Sequence, residues 1–499
     1  MQTASAQDSI FYDPTKALEI ARQQNRVART HWISGLQVCY YVGNTILLDA
    51  PENLVHVPLE SMAEFFSETR LRLPAAVVLP NPSPQDDPQE RLNRNRFATL
   101  VQRAMNEAGR RMERISHERT KARASQRVTV ATDEPLRVFA GASTSTTVMQ
   151  YCTRGMLDAF ARLGHQTRLS IEQNDMERIC WHEFQRESLE FHPHIVLNIN
   201  HQNQELTPPG GVNVIWWQDQ MECLTKGARL RWRDNDLVYV VMTNRFAPML
   251  EATGLPRERI KVQPFCIDRS LFNDEHAGEY QREDKVVFVG SSYCTTLSNE
   301  ANEKKLLAEL EERFTAGEGL TSEIVIDASR RHGVTQDHAV RSVQFYVARD
   351  LPVRWLCQQR DVPVEIYGRE WQRDPVVAPF FKGELPQGKP IADLYRRARW
   401  ALVLHPELIN HQRLGEVGAC GCIPLVYDCR HQADGPFWED QALYFRTQAQ
   451  LRTALEHRPT IDAQAFGEFF DYANFARRIV ADAQPFFVRT ESPSLAVQT

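Results

Sequence analysis

The stretch WALVLHPELINHQRLGEVGACGCIPLVYD, residues 400–428, decides the fold. It opens on an apolar run, Trp400 to Leu404, and closes on another, Cys422 to Tyr427. Between them a helix is read from near Gln412, with Gly421 at the turn before the next strand. Apolar runs this continuous suit strands covered on both faces, and a helix linking two of them makes a parallel βαβ unit. The same alternation extends in both directions. Upstream lie KVVFVGSS (285–292), VPVEIYG (362–368) and the helix-like IADLYRRA (391–398). Helical segments are predicted over much of 299–359, and a final helix near Ala463–Ala483.

An earlier series has the same character. RVFAGAS, QTRLSI, HIVLNIN, VNVIWWQD and DLVYVVMT, between residues 137 and 243, alternate with helical stretches. The expected fold class is therefore α/β, with two tandem Rossmann-like αβ domains and an additional α+β N-terminal region. The boundaries expected are 1–135, 136–275, 285–460 and a C-terminal helix in 461–490. The polar stretch 274–284 reads as a hinge.

The first 135 residues differ. Asp13 to Arg29 has helical spacing, and LQVCYYVGNTILLDA (36–50) suggests a hairpin or small sheet with Gly43-Asn44 at the turn. Residues 80–90 are Pro-rich and read as a linker. Arg91 to Arg127 reads as a long basic helix, packed through Leu100, Val101, Met105 and Met112. No aromatic residues interleave for base stacking, so a solvated helix is the expectation and nucleic acid is not an expected partner.

Composition sets outer limits. The chain has 499 residues, 42% hydrophobic and 24% charged, which is ordinary for globular proteins. Lys+Arg is 58 and Asp+Glu is 64, a net 58 − 64 = −6, unlike a protein that coats nucleic acid. No run approaches the roughly 18 apolar residues of a membrane span. Ten cysteines are too few for a disulfide scaffold. Cys420, Cys422, Cys429 and His431 are close in sequence, but Cys-x-Cys is tighter than the usual zinc spacing, so no metal is expected. The location expected is the cytoplasm.

Ligands of open parallel sheets bind beyond the carboxyl ends of the strands. Four loops of the second series qualify. Gly290-Ser291-Ser292 allows backbone approach and offers hydroxyls, but matches neither GxGxxG nor a Walker loop. Tyr367-Gly368 again places glycine after a strand; Tyr367 or Trp371 can stack on a base or simply pack. Lys382 lies in an aromatic-Lys-Gly run that reads as a turn. The fourth loop holds His405, Asn410, Arg413 and Glu416. A helix N-terminus here offers free N–H groups to a phosphate, and Arg413 adds a bidentate contact. Glu416, three residues on, shares its face and suits ribose hydroxyls; a surface Arg–Glu pair is the plainer reading.

The order FVGSS, IYG, FKGEL, LYRRARWALVLHP, NHQRLGE and GACGCIPLVYD resembles the nucleotide-binding half of GT-B glycosyltransferases, closest to the CgeB-like or spore-maturation-type group. That group carries N-x-x-R-x-F-E before an Ala/Cys-Gly turn. Asn410, Arg413, Glu416 and Gly421 match; Gly415 replaces the family's Phe, which implies looser packing. The wider GT-B pattern has a second Glu eight residues before Glu416, where this chain has Leu408 with Glu407 beside it. The resemblance spans about Leu136 to Pro485 and leaves the first 135 residues unmatched.

It implies a hexosyltransferase-like enzyme moving sugar from a nucleotide-sugar donor to a glycan, protein or lipid-linked acceptor, with no metal and no other cofactor. Gly290, Ser291, Ser292, Tyr367, Gly368, Lys382, His405, Asn410, Arg413 and Glu416 are the donor-side candidates, and Lys304 or Lys305 can add charge. An inverting reaction needs a general base: His201 first, Asp219 second. A non-catalytic nucleotide- or glycan-binding scaffold, and a sugar-nucleotide epimerase of the same fold, are the alternatives. The N-terminal region is open to acceptor binding, dimerisation or docking of a protein partner.

Overall fold

A computed structural model describes residues 8–30, 37–43, 47, 49–80, 87–131, 134–146, 148–178, 181–225, 229–275, 278, 281–359, 361–487 and 489–490. The chain divides into two compact units. One holds the described residues of 1–198, 202–214 and 483–499; the other holds 199–201 and 215–482.

The first unit begins with four short strands: β1 (Ser9–Phe11), β2 (Cys39–Val42), β3 (Leu54–Val57) and β4 (Ala76–Val78). Their order is β3-β2-β1-β4, and every pairing is parallel. The hairpin expected at Gly43-Asn44 therefore does not form; Asn44 itself lies outside the described residues. β2 runs alongside β3 in register Cys39↔Leu54, which a two-residue turn cannot connect. Successive residues feed opposite cores. Ile10 and Tyr40 meet Phe66, Phe97 and Val101, while Phe11, Cys39 and Tyr41 meet Ala17 and Ala21. Burial on both faces is what sustains a parallel sheet.

The basic helix spans Pro88–Ser125, with Asp87 as its cap and Pro88 in its first turn. Residues 81–86 of the expected linker lie outside the described residues. The buried stripe of this helix is Phe97, Val101 and Ala108 rather than Leu100, which is 42% exposed. Its inner arginines are engaged. Arg111 pairs with Glu64 and Glu68, Arg119 donates to the His182 carbonyl at 2.6 Å, and Arg123 to Ser188 Oγ at 3.0 Å.

After β5 (Val130–Ala131) comes a six-stranded sheet: β6 (Arg137–Gly141), β7 (Gln166–Ser170), β8 (Ile195–Ile199), β9 (Val212–Trp217), β10 (Asp236–Val240) and β11 (Ile260–Val262). The order is β11-β10-β9-β8-β6-β7. β8 and β9 begin in the first unit and end in the second.

The second unit contains another six-stranded sheet: β12 (Glu283–Val289), β13 (Val364–Tyr367), β14 (Phe381–Gly383), β15 (Ala398–Val403), β16 (Ile423–Tyr427) and β17 (Leu443–Phe445). The order is β14-β13-β12-β15-β16-β17, parallel throughout. The Lys382 run, read as a turn, is thus edge strand β14. In the first sheet β6–β7, β6–β8 and β10–β11 pair in parallel, and helices link several of the strands in both sheets, the Rossmann-like α/β class expected. Part of the 274–284 hinge stretch (276, 277, 279 and 280) lies outside the described residues. The strand order reverses between β12 and β15, and sheets of this kind bind ligands at such a switch point, here past Val289 and Val403.

The final helix is two helices, Ala463–Phe470 and Tyr472–Ala483. The break has a cause: the Phe470 carbonyl accepts from Ile267 N, and Tyr472 N donates to the Ile267 carbonyl. That backbone cannot also continue the helical ladder, and Asp471 starts a new helix by accepting from Ala473 N at 2.9 Å. Gly415 does not loosen packing. A Cβ there would lie 2.6 Å from the Phe470 ring, so the C-terminal helix supplies the aromatic group that the helix lacks. The second of these helices packs Phe475 against Trp216 and Tyr239, at 5.0 and 4.9 Å between ring centroids. No helix among the described residues is long and apolar enough to cross a membrane.

Candidate functional site

The loops after β12 and β13 brace one another. Gly290 N–H donates to the Tyr367 carbonyl at 2.9 Å and Ser292 N–H to the Arg369 carbonyl at 3.0 Å. Trp371 Nε1 returns a bond to the Gly290 carbonyl at 2.6 Å, and Arg369 N–H reaches Ser291 Oγ at 3.3 Å. Gly368 allows this approach: its φ is 135°, and a Cβ would sit 2.2 Å from the Gly290 oxygen. Tyr367 turns back along its strand to Glu365, and Lys382 is exposed on β14. Lys304 and Lys305 are exposed on the helix Ala301–Thr315.

Below Ser292 lies Asp350, 1% exposed, on the helix Gln344–Gln358. It accepts from the Ser292 hydroxyl and from Tyr293 N–H at 3.2 Å. Burial pushes its carboxyl up to about 6 against these bonds. An acid with a higher pKa folded than unfolded takes up a proton on folding. The folded state therefore gains stability as pH falls from about 6 towards 4, and loses it as pH rises through that window. The difference is on the order of 3 kcal/mol at neutral pH. Asp350→Asn is expected to flatten this part of the stability–pH profile, read from urea midpoints at pH 4.5 and 7.5; an unchanged slope would remove Asp350 from the account.

The loop after β15 carries two imidazoles. His405 Nδ1 accepts from the amides of Glu407 and Leu408, at 3.1 and 2.9 Å. His411 Nδ1 accepts from Arg413 N–H at 3.2 Å and caps the helix Gln412–Ala419. The helix end expected to be open is thus partly closed by its own cap. In both rings Nδ1 is the acceptor, so the proton sits on Nε2. Burial and nearby arginines hold His405 well below the usual range and push His411 down to about 3. Both are neutral N–H donors at physiological pH.

Arg413 and Glu416 do pair, but not on the surface. Glu416 is fully buried and also accepts from Gln412 at 2.9 Å and Gln387 at 3.4 Å. Asn410 is spent on architecture. Its amide donates to the Asp434 and Pro436 carbonyls, both at 3.2 Å, and its oxygen accepts from Trp438 Nε1 at 3.1 Å.

The two base candidates stand together past β8 and β9. Asn200, at φ 61°, links them. Its oxygen accepts from the amides of Gln218 and Asp219, at 2.7 and 2.9 Å, and its nitrogen donates to Asp219 Oδ2 at 2.7 Å. Asp219 is raised by burial, against Asn200 and Arg341; His201 is lowered by burial.

Several groups escaped sequence reasoning. Arg245, on the helix after β10, pairs with Glu407, which also accepts from Ser322 and Gln344. Asp434 accepts from the Thr243 hydroxyl at 2.7 Å. Arg341 leaves a π-helical turn, Ala339–Val343, and donates to the Gln220 carbonyl at 2.8 Å. π turns mark functional segments often enough to have been a signal, had the helix register been legible. Arg349 is the most telling. It lies over the Tyr293 ring at 4.7 Å, donates to the Ser291 carbonyl at 3.3 Å, and acts electrostatically on both His405 and His411. It has no carboxylate ion-pair partner among the described residues, and its Nε is buried without an acceptor, as is Arg245 Nε. Together these groups can hold an anion: cationic N–H groups and two neutral imidazole donors beside the Gly290–Ser292 loop.

The buried Cys420, Cys422 and Cys429 are free thiols, and no group of three or more His, Cys, Asp or Glu side chains among the described residues is placed to hold a metal.

Residues 349–479 match the family model described as "Glycosyl transferase-like", about a quarter of the chain. No curated protein matches by sequence. Solved structures similar to this chain include a glycosyltransferase from Rickettsia africae, at 9% identity and TM-score 0.42, covering 71% of this chain and 99% of that one. Sucrose-phosphate synthase from Thermosynechococcus elongatus is 10% identical with TM-score 0.41, covering 70% and 98%. HepE of Anabaena in complex with UDP and glucose is 11% identical with TM-score 0.43, covering 70% and 100%.

Proposed function

We propose that the chain is a metal-independent GT-B glycosyltransferase of the CgeB-like kind, moving a hexosyl group from a nucleotide-sugar to an acceptor hydroxyl. One observation carries the reading: the glycosyl transferase-like match begins at Arg349 and contains the β13–β16 loops with His405, His411, Arg413 and Glu416.

The donor diphosphate sits against Arg349, the Nε2–H groups of His405 and His411, and the loop at Ser291. Two orphaned guanidinium N–H groups, of Arg245 and Arg349, support an anion there. As the sugar leaves, negative charge grows on the diphosphate, and fixed cationic donors stabilise it where a metal would otherwise be used. Glu416 is the ribose ligand, its carboxylate held ready by Gln387, Gln412 and Arg413.

Of the two bases, Asp219 is the better held. Asn200 holds it by two hydrogen bonds, one to its backbone and one to its carboxylate, while the His201 side chain has no partner among the described residues. Its raised pKa makes it a stronger base than an ordinary carboxylate, and it takes the acceptor proton as the glycosidic bond forms. Asp219→Asn is expected to lower donor cleavage, with water or a sugar as acceptor, by about 100-fold or more while leaving donor affinity within about twofold. Wild-type turnover in that variant together with loss of turnover in His201→Ala would reverse the assignment.

A further inference from the structure

We infer that the outer face of the helix Pro88–Ser125 docks the protein on an anionic membrane surface. The helix carries ten Lys and Arg against four Glu, a net 10 − 4 = +6. Arg96, Arg103, Arg110, Arg114 and Lys121 are exposed, and their side chains have no ion-pair partner among the described residues. This separates them from Arg111, Arg119 and Arg123, which bind the fold.

At about 100° per residue, these five and the exposed His117 fall within an arc of roughly 60°. The arc lies opposite the buried stripe of Phe97, Val101 and Ala108. From Arg96 to Lys121 it is roughly 37 Å long. Glu107 and Glu118 stand along one margin and Glu113 beyond the other, and none of them interrupts it. Leu92 and Leu100, each 42% exposed, project to the same side, bracketing Arg96.

Shape and chemistry select the partner. A row of charges confined to one side of a helix can meet a flat surface along its length. A nucleic-acid duplex curves away from such a row, and the row offers no aromatic group to a single-stranded base. Cationic side chains near anionic headgroups gain from the negative surface potential, and leucines among them enter the interfacial layer. Docking of this kind needs no membrane-spanning segment.

The test is flotation of the full-length protein with phosphatidylcholine vesicles, with or without 30–40% phosphatidylglycerol (roughly the anionic density that gives a strong surface potential). The protein is expected to float only with the anionic vesicles, and to be released by about 0.5 M salt as screening shortens the field. Arg103→Gln/Arg110→Gln/Arg114→Gln should lower the partition coefficient by on the order of 100-fold with an unchanged melting temperature. Leu92→Ser/Leu100→Ser, which keeps every charge, should lower it more modestly. Absence of flotation, equal flotation with neutral vesicles, or a triple variant that floats like wild type would overturn the inference. So would duplex DNA that strips the protein from vesicles at equal charge concentration, which would make nucleic acid the partner.

Discussion

Gly368→Ala is expected to destabilise the second unit by about 3 kcal/mol or more and to weaken donor binding at the same time. Two costs add. The backbone φ of 135° is one that L side chains rarely adopt. The new methyl would also lie 2.2 Å from the Gly290 oxygen, 2.5 Å from its carbonyl carbon and 2.9 Å from Ser291 N. Those atoms are backbone, so no side chain can swing aside. The only relief is to push the Gly290–Ser292 loop away, breaking its bonds to Tyr367 and Arg369. Gly383→Ala provides the control. Its φ is 101°, but a Cβ there meets nothing within 4 Å, so it bears the conformational cost alone, about 1–2 kcal/mol. Urea denaturation of the two variants separates clash from strain. Equal losses would mean that the loop gives way easily and that its cross-bracing does not hold the site.

Glu416→Ala is expected to cost about 3 kcal/mol, in addition to its effect on the donor. Glu416 is 0% exposed and its partner Arg413 only 27% exposed at the side chain. Removing the carboxylate leaves a largely buried guanidinium uncompensated, which is costlier than losing a surface pair. The partial exposure of Arg413 places the figure at the low end of the range for buried pairs. The double variant Arg413→Ala/Glu416→Ala should lose less than the sum of the two single variants, because no stranded charge remains. Strict additivity would show that the two side chains do not act on one another. Glu416→Gln keeps the shape and most hydrogen bonds, and is the variant in which donor binding can be read apart from folding.

Much of this was legible because a parallel strand covered on both faces writes itself as an unbroken apolar run. KVVFV, VPVEI, WALVL and CIPLVY read as such strands and pointed to the loops after them, while the order β14-β13-β12-β15-β16-β17 and its switch point came from the structure. The N-terminal sheet was harder. Its strands are three or four residues long, and their alternate residues feed two different cores, one with Ala17 and Ala21, the other with Phe66 and Phe97. The site was legible only where residues are close in sequence, as with Arg413 and Glu416. Arg349 and Asp350 sit mid-helix, where their side chains look like any others; only the packing of that helix under the Gly290 loop gives them meaning. Asn200 was hidden for another reason. Its left-handed backbone turns the chain so that one side chain can clamp Asp219, and nothing in HIVLNIN announces it. Gly415 looked like a weakening, and became a fit once Phe470 arrived from more than fifty residues away.

The central claim is that the loops around Arg349 and Glu416 bind the diphosphate of a nucleotide-sugar. Calorimetric titration without added metal tests it most directly, with UDP-, GDP- and dTDP-sugars, and a CMP-sugar as the donor without a diphosphate, on the wild type, Arg349→Ala and Glu416→Gln. The account predicts that one base class binds the wild type, and that Arg349→Ala weakens it by roughly 10-fold or more, as loss of a charged hydrogen bond should. The same variant should bind the matching nucleoside monophosphate-sugar or nucleoside with less change, and Glu416→Gln should weaken diphosphate and nucleoside alike. A donor that binds both variants as tightly as the wild type would contradict the account and place the donor elsewhere on the chain.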